Sequence, residues 1–150
     1  MFALLASVLT ALGTWPLVPQ PEVVAPFAPP LHAWSAGHRG VDLLGSPGQP
    51  VRAALGGRVT FAGTIAGRGV VVVGHGARRT TYEPVRATAA RGAEVGTGEQ
   101  LGTLEPGGSH CFPRTCLHWG LIEQDPDGGE VYRDPLTLLG LGPVRLLPLE

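Results

Sequence analysis

The chain has 150 residues, of which 43% are apolar and 15% charged, and this composition excludes an intrinsically disordered protein. Its formal net charge is −1. All eleven basic residues are scattered arginines, so no basic patch predicts a nucleic-acid partner, and chemistry that needs a lysine amine is excluded. We expect one domain, monomeric, with many tight turns because Gly and Pro are abundant.

The chain begins with an apolar segment that carries no acidic or basic side chain from Phe2 to Leu17. It is shorter than the roughly 20 residues that a transmembrane helix needs. It resembles the core of a secretory signal, although the basic residues that normally precede such a core are missing. We assign residues 1–14 to a signal or anchor and expect an extracytoplasmic location. A buried first strand and a misplaced start codon are the alternatives.

The remaining chain divides by composition into a lead, a domain and a tail. Residues 15–36 are rich in proline, which excludes a helix and predicts an extended lead across the surface. Residues 37–142 form the predicted domain, and residues 143–150 form a C-terminal tail.

Short β-branched runs separated by glycines predict an all-β, antiparallel domain. The run Val70 to Val73 is wholly apolar and predicts a central buried strand, whereas a short helical turn is expected near Asp134 to Leu139. The other predicted strands cover residues 51–54, 58–62, 78–85, 93–95, 100–104 and 117–123.

Two clusters carry residue types that bind metals. His38 and Asp42 stand four apart among glycines, where a turn entering a strand could aim both at one point. His118 lies in an apolar strand, where an unpaired imidazole is costly. Imidazole and carboxylate are good zinc ligands, and three of them plus water make an open, catalytic type of site. On spacing alone, a hydrogen-bonded turn and a core histidine explain the same residues.

Cys111 and Cys116 are the only two cysteines. In a secreted chain, two cysteines this close usually form a disulfide, and we expect that bond here. Two free thiols or two metal ligands are the alternatives.

An ordered series of motifs from residue 37 to 123 resembles the lysostaphin/LytM-type zinc metallopeptidases (peptidase family M23). The series continues to Asp134-Pro135-Leu136. It consists of His38-Arg39-Gly40-Val41-Asp42-Leu43, Gly48 to Ala54, Gly57-Arg58-Val59, Phe61-Ala62-Gly63, Gly69 to Val73, His75-Gly76, Thr80-Thr81-Tyr82, Gly98 to Gly102 and Leu117-His118-Trp119-Gly120-Leu121.

The resemblance implies an antiparallel β fold with a groove and one Zn²⁺ held by His38, Asp42 and His118. It also implies that the partners are peptidoglycan stem or cross-bridge peptides, which the family cuts. We expect Tyr82 and Trp119 to line the substrate groove, with core packing as the alternative for Trp119.

Both auxiliary histidines of the family pattern are replaced, by Pro84 and Cys116. His110, in the loop before the last strand, could swing toward the metal and compensate as a catalytic residue. Because a proton donor and an oxyanion donor are lost, the replacements predict weak or absent hydrolysis. The sequence therefore leaves two hypotheses open, a zinc endopeptidase and a catalytically degenerate module that binds peptidoglycan or regulates a hydrolase.

Overall fold

A computed structural model describes residues 12–29 and 37–140. Within these ranges the predicted all-β, antiparallel fold is confirmed. The elements are β1 (Val23–Ala25), β2 (Val41–Gly45), β3 (Pro50–Arg52), β4 (Gly57–Ile65), β5 (Arg68–Gly74), β6 (Arg78–Glu83), β7 (Val85–Ala87), β8 (Glu94–Val95), β9 (Gln100–Leu104), β10 (Thr115–Gln124), β11 (Glu130–Arg133) and a 3₁₀ helix (Pro135–Leu139).

The larger sheet runs in the order β1-β2-β10-β6-β5-β4-β8, with β11 added to the far end of β10. The apolar run that predicted a central strand lies in β5, which pairs with β4 on one side and β6 on the other. The predicted strand 78–85 is divided at Pro84, which has no N–H for a sheet ladder. Its second part, β7, joins the smaller sheet, ordered β3-β9-β7.

The hydrophobic core lies between the two sheets. Side chains alternate along each strand, so every second residue faces inward. The larger sheet contributes residues such as Val71 and Leu117, and the smaller sheet contributes Val51, Val85 and Leu101, all fully or almost fully buried.

The proline-rich lead is more deeply embedded than predicted. Leu17 is fully buried, and β1 pairs with β2 at the edge of the larger sheet. The sequence did not predict this strand because prolines flank it. Proline is nevertheless tolerated here, since β1 is an edge strand. The lead therefore packs against the strand that carries Asp42.

Parts of the predicted division fall outside the described residues, namely residues 1–11, 30–36 and 141–150. Gly13 and Thr14 are described, and their N–H groups donate to the carbonyls of Leu138 and Ala54. In the described part of the chain, no helix is long and apolar enough to span a membrane.

Candidate metal centre

Two paired strands place Asp42 and His118 side by side. Antiparallel pairing of β2 with β10 sets Asp42 directly opposite His118, although 76 residues separate them in sequence. Directly opposed residues point to the same face of a sheet, with Cβ atoms roughly 5 Å apart. The strand register therefore brings this carboxylate and this imidazole together.

The three predicted ligands converge, with Asp42 in the middle. Its Oδ1 lies 2.9 Å from His118 Nδ1, and its Oδ2 lies 3.2 Å from His38 Nε2. The centroids of the His38 and His118 rings are 5.1 Å apart. Asp42 is 5% exposed, so the carboxylate is nearly closed off from solvent while both imidazoles remain partly accessible.

His38 is oriented by the proline-rich lead. Its Nδ1 lies 2.8 Å from the carbonyl oxygen of Pro26, so Nδ1 carries the proton and donates it. Nε2 therefore faces Asp42, and it is buried with no hydrogen-bond partner among the described residues. A metal-binding histidine typically donates its other ring N–H to a carbonyl or carboxylate in this way.

The electrostatics of the cluster favour an ionised carboxylate. Burial alone would raise the pKa of Asp42, but the hydrogen bond from His118 and the charges of His38, His118 and His110 hold it below its ordinary value. A deprotonated carboxylate and two imidazole nitrogens are the donor types that zinc takes. The three residues thus fit a zinc ion.

Gly40 creates the space that the His118 ring occupies. A Cβ at this position would lie 2.7 Å from His118 Nε2 and 2.6 Å from the carbonyl oxygen of Trp119. Both contacts are closer than real side chains tolerate. The glycine between His38 and Asp42 therefore allows the backbone to approach the second imidazole.

His110 joins the cluster from a loop. Its Nδ1 is 3.4 Å from Asp42 Oδ1, and its ring centroid is 4.5 Å from that of His118. Burial and then the positive charge of His118 lower its pKa, which favours the neutral ring. Together with the three predicted ligands, His110 completes a group whose ligand atoms all lie within 4.8 Å of one another.

A disulfide loop positions His110. Cys111 and Cys116 are bonded, with their Cα atoms 5.9 Å apart. The hydroxyl of Ser109 accepts hydrogen bonds from the backbone N–H groups of Cys111 and Cys116. Cys116 is the second residue of β10 and is buried, so the loop that carries His110 is anchored to the strand that carries His118.

The prediction that Tyr82 and Trp119 line a groove is wrong. Both side chains are fully buried in the core. The Tyr82 hydroxyl accepts a hydrogen bond from the Ala54 N–H, and burial raises its pKa to about 12. Trp119 packs near Trp15 of the lead, with ring centroids 6.4 Å apart. When a strand mixes polar and apolar residues, the sequence does not show whether an aromatic side chain lines a groove or packs in the core. Here both side chains pack in the core.

Sequence reasoning also missed residues that shape the centre. Arg68 donates to His110 Nε2, with 3.2 Å between the nitrogens, and Glu83 Oε1 lies 3.7 Å from the same atom. Pro26 acts through its backbone carbonyl, for which no side-chain pattern exists. Glu83 was not missed, because its place directly after Tyr82 in the family motif suggests a replacement base, with a solvated side chain as the alternative. The structure pairs it with His118 across β6 and β10.

This fold and centre define a class, namely antiparallel β domains with a histidine–carboxylate centre of metallopeptidase type. The model of peptidase family M23 matches residues 36–131, and the chain belongs to that family. Uncharacterised proteins of Mycobacterium tuberculosis and Mycobacterium bovis are 48% identical over 137 residues, which is 91% of this chain. The match covers 55% of those relatives, so the chain spans about half their length.

Solved structures show the same fold. Helicobacter pylori Csd3 superimposes with a TM-score of 0.66 and 23% identity, over 91% of this chain and 37% of Csd3. The antimicrobial peptidase lysostaphin from Staphylococcus simulans gives 0.65 and 20% identity, over 81% of this chain and 50% of lysostaphin. These likenesses confirm the predicted lysostaphin/LytM-type fold.

Proposed function

We propose that this domain binds one zinc ion through His38, Asp42 and His118 and hydrolyses peptide bonds in peptidoglycan stem or cross-bridge peptides outside the cytoplasm. The observation that carries the proposal is the convergence of these three donors, with His38 Nε2 buried and without a hydrogen-bond partner among the described residues. Membership of a peptidase family supports a peptide substrate. Zinc at such a site polarises a scissile carbonyl and lowers the pKa of a bound water.

His110 supports the enzymatic form of this proposal. The resemblance to the family leaves Pro84 and Cys116 where auxiliary histidines are expected, and neither can move a proton here, since Pro84 has no titratable group and Cys116 is in a disulfide. An arginine can only donate, so His110 Nε2 accepts from Arg68 and the neutral ring holds its proton at Nδ1. Because the pKa of His110 is lowered, the neutral ring can take up the proton that an attacking water gives up. Once protonated, the ring can pass a proton to the leaving amine, which must be protonated when the peptide bond breaks.

A second candidate function follows from the same imidazole. If His110 Nδ1 served as a fourth ligand, the site would be closed, as structural zinc sites are. The close spacing of all four groups favours this alternative. The domain would then bind stem peptides or a partner hydrolase without cutting.

A digestion assay with ligand variants tests the proposal. The zinc-loaded protein is expected to release free amino groups from purified peptidoglycan, and a chelator or His118→Ala is expected to abolish the release. Failure of the zinc-loaded protein to cut, combined with binding of stem peptides, would instead establish the second function.

Zinc affinity separates the two roles of His110. As a proton donor, His110 can be replaced by alanine with little change in zinc affinity. As a ligand, its loss weakens zinc binding by orders of magnitude, as does the loss of His118 in the matched variant His118→Ala. The measurement is a competition titration with a chromophoric chelator.

A further inference from the structure

Arg68 places an available positive charge beside the proposed catalytic centre. It is the first residue of β5, directly after the turn between β4 and β5. Its guanidinium donates to His110 Nε2 in a contact at the protein surface. A single imidazole ring therefore separates the guanidinium from Asp42.

The side chain of Arg68 is held in place by the loop before Cys111. A Cβ on Gly108 would lie 2.6 Å from Cγ and 3.0 Å from Cδ of Arg68, so the arginine stem lies directly on the Gly108 backbone. A guanidinium that is already oriented loses less side-chain entropy when it binds a ligand.

No carboxylate of the described residues neutralises this arginine. The ion pairs found in residues 12–29 and 37–140 use Arg58, Arg79 and Arg133 as their arginine partners. Glu83 approaches His110 Nε2 but forms no ion pair with Arg68. Four of the five guanidinium N–H groups have no partner in the described hydrogen bonds.

We propose that Arg68 is a specificity residue that recognises a carboxylate on the substrate, so that this domain prefers peptides with a free acid beside the cleaved bond over the same peptides in amidated form. This inference rests on the proposed function, because it assumes that substrate lies against His110. A guanidinium pairs with a carboxylate through two parallel hydrogen bonds, a geometry that an amide cannot accept.

The test uses two synthetic stem-type peptides that differ only in one carboxylate replaced by a carboxamide, with the zinc-loaded full chain. Wild type is expected to cut the acid with a kcat/KM roughly ten- to a hundredfold above that of the amide, the value of a charged hydrogen-bonded pair. Arg68→Gln is expected to bring this ratio close to one, mainly through KM. Glu83→Gln removes the opposite charge beside the same imidazole, and it is expected to keep or increase the preference for the acid.

An unchanged ratio in Arg68→Gln, with both peptides slowed equally, would overturn the proposal, since Arg68 would then act only by positioning His110. If the wild type cuts neither peptide, the proposed hydrolysis fails, but binding of the same pair still tests Arg68. Tighter binding of the acid that disappears in Arg68→Gln supports carboxylate recognition, and equal binding of both peptides by wild type overturns it.

Discussion

At the scale of single residues, the centre depends on neighbours that contribute no ligand. Pro26 fixes the tautomer of His38 through a carbonyl oxygen, and Gly40 leaves room for the ring of His118. Neither residue touches a metal in the proposed site, yet each determines where a donor nitrogen points. The loss of such a supporting contact typically lowers metal affinity by 10- to 100-fold.

Gly40→Ala is accordingly expected to weaken zinc binding by roughly 10- to 100-fold while the domain stays folded. The added methyl group would displace the His118 ring, because the Trp119 carbonyl on its other side is backbone and cannot yield cheaply. Gly96→Ala is the matched control, since nothing lies within 4 Å of the added Cβ. Chelator competition measures both affinities, and equal affinities would contradict the account.

A second residue, His75, makes folding stability depend on pH. Its Nδ1 donates to the Gly56 carbonyl at 2.7 Å, so Nε2 accepts from the Thr80 hydroxyl at 2.9 Å. Thr80 in turn accepts from the buried hydroxyl of Tyr82 at 2.8 Å. This chain of hydrogen bonds requires neutral His75, and burial lowers its pKa from the ordinary 6.5.

Because the pKa of His75 is lower in the folded state, the unfolded chain takes up a proton first as the pH falls. The free energy of unfolding is therefore expected to be steady above pH 6.5 and to fall below it, by at most about 1.4 kcal/mol per pH unit for this one group. Urea unfolding of the zinc-free protein between pH 7.5 and 5 measures the effect. In His75→Gln the decline should be smaller, and an identical decline in both proteins would show that His75 is not the cause.

At the scale of elements, the disulfide loop and β10 work as a unit. The loop carries His110, whereas the three proposed ligands lie on or beside β2 and β10, where Asp42 pairs with His118 two residues beyond Cys116. The disulfide is thus expected to control the position of His110 more than the affinity for metal.

Replacing both cysteines, as Cys111→Ala with Cys116→Ala, should reduce the free energy of unfolding by about 2 kcal/mol, the chain-entropy value for so short a loop. The rate of peptide cleavage should decrease by a larger factor than the affinity for zinc, since the disulfide no longer holds the loop that carries His110. Treating wild type with a phosphine reductant should reproduce both effects, and the same reductant should leave the double variant unchanged. Loss of zinc binding equal to the loss of cleavage would refute this division of roles.

Some strands were predictable from the sequence and others were not. The wholly apolar run in β5 and the largely apolar strand β10 were predictable because short apolar runs bounded by turn residues are typical of buried strands. β1 and β11 were missed, since one is surrounded by prolines and the other is short and largely polar. The sequence predicted that His110 could swing toward the metal and that Cys111 and Cys116 are bonded. It could not predict the distance from His110 to Asp42, because that distance depends on how the closed loop folds in three dimensions.

At the scale of the whole molecule, the two sheets enclose the core and leave the centre at one end of β2, β10 and β6. Asp42, His118 and Glu83 are brought there by strand register, and Arg68 and His110 by the adjoining turn and loop. The family resemblance was visible in the ordered motifs. The sequence predicted His110 only as a loop residue that could reach the metal, and the fold places its Nδ1 3.4 Å from Asp42 Oδ1.

Zinc-dependent catalysis with His110 as proton donor is tested most directly by the rate at which His110→Ala releases amino groups from peptidoglycan, compared with wild type at equal zinc occupancy. We predict that wild type cuts and that His110→Ala is slower by roughly a hundredfold or more, the usual contribution of a general acid, with one zinc retained in each protein. Equal rates for the two zinc-loaded proteins, or no cleavage by wild type, would contradict it.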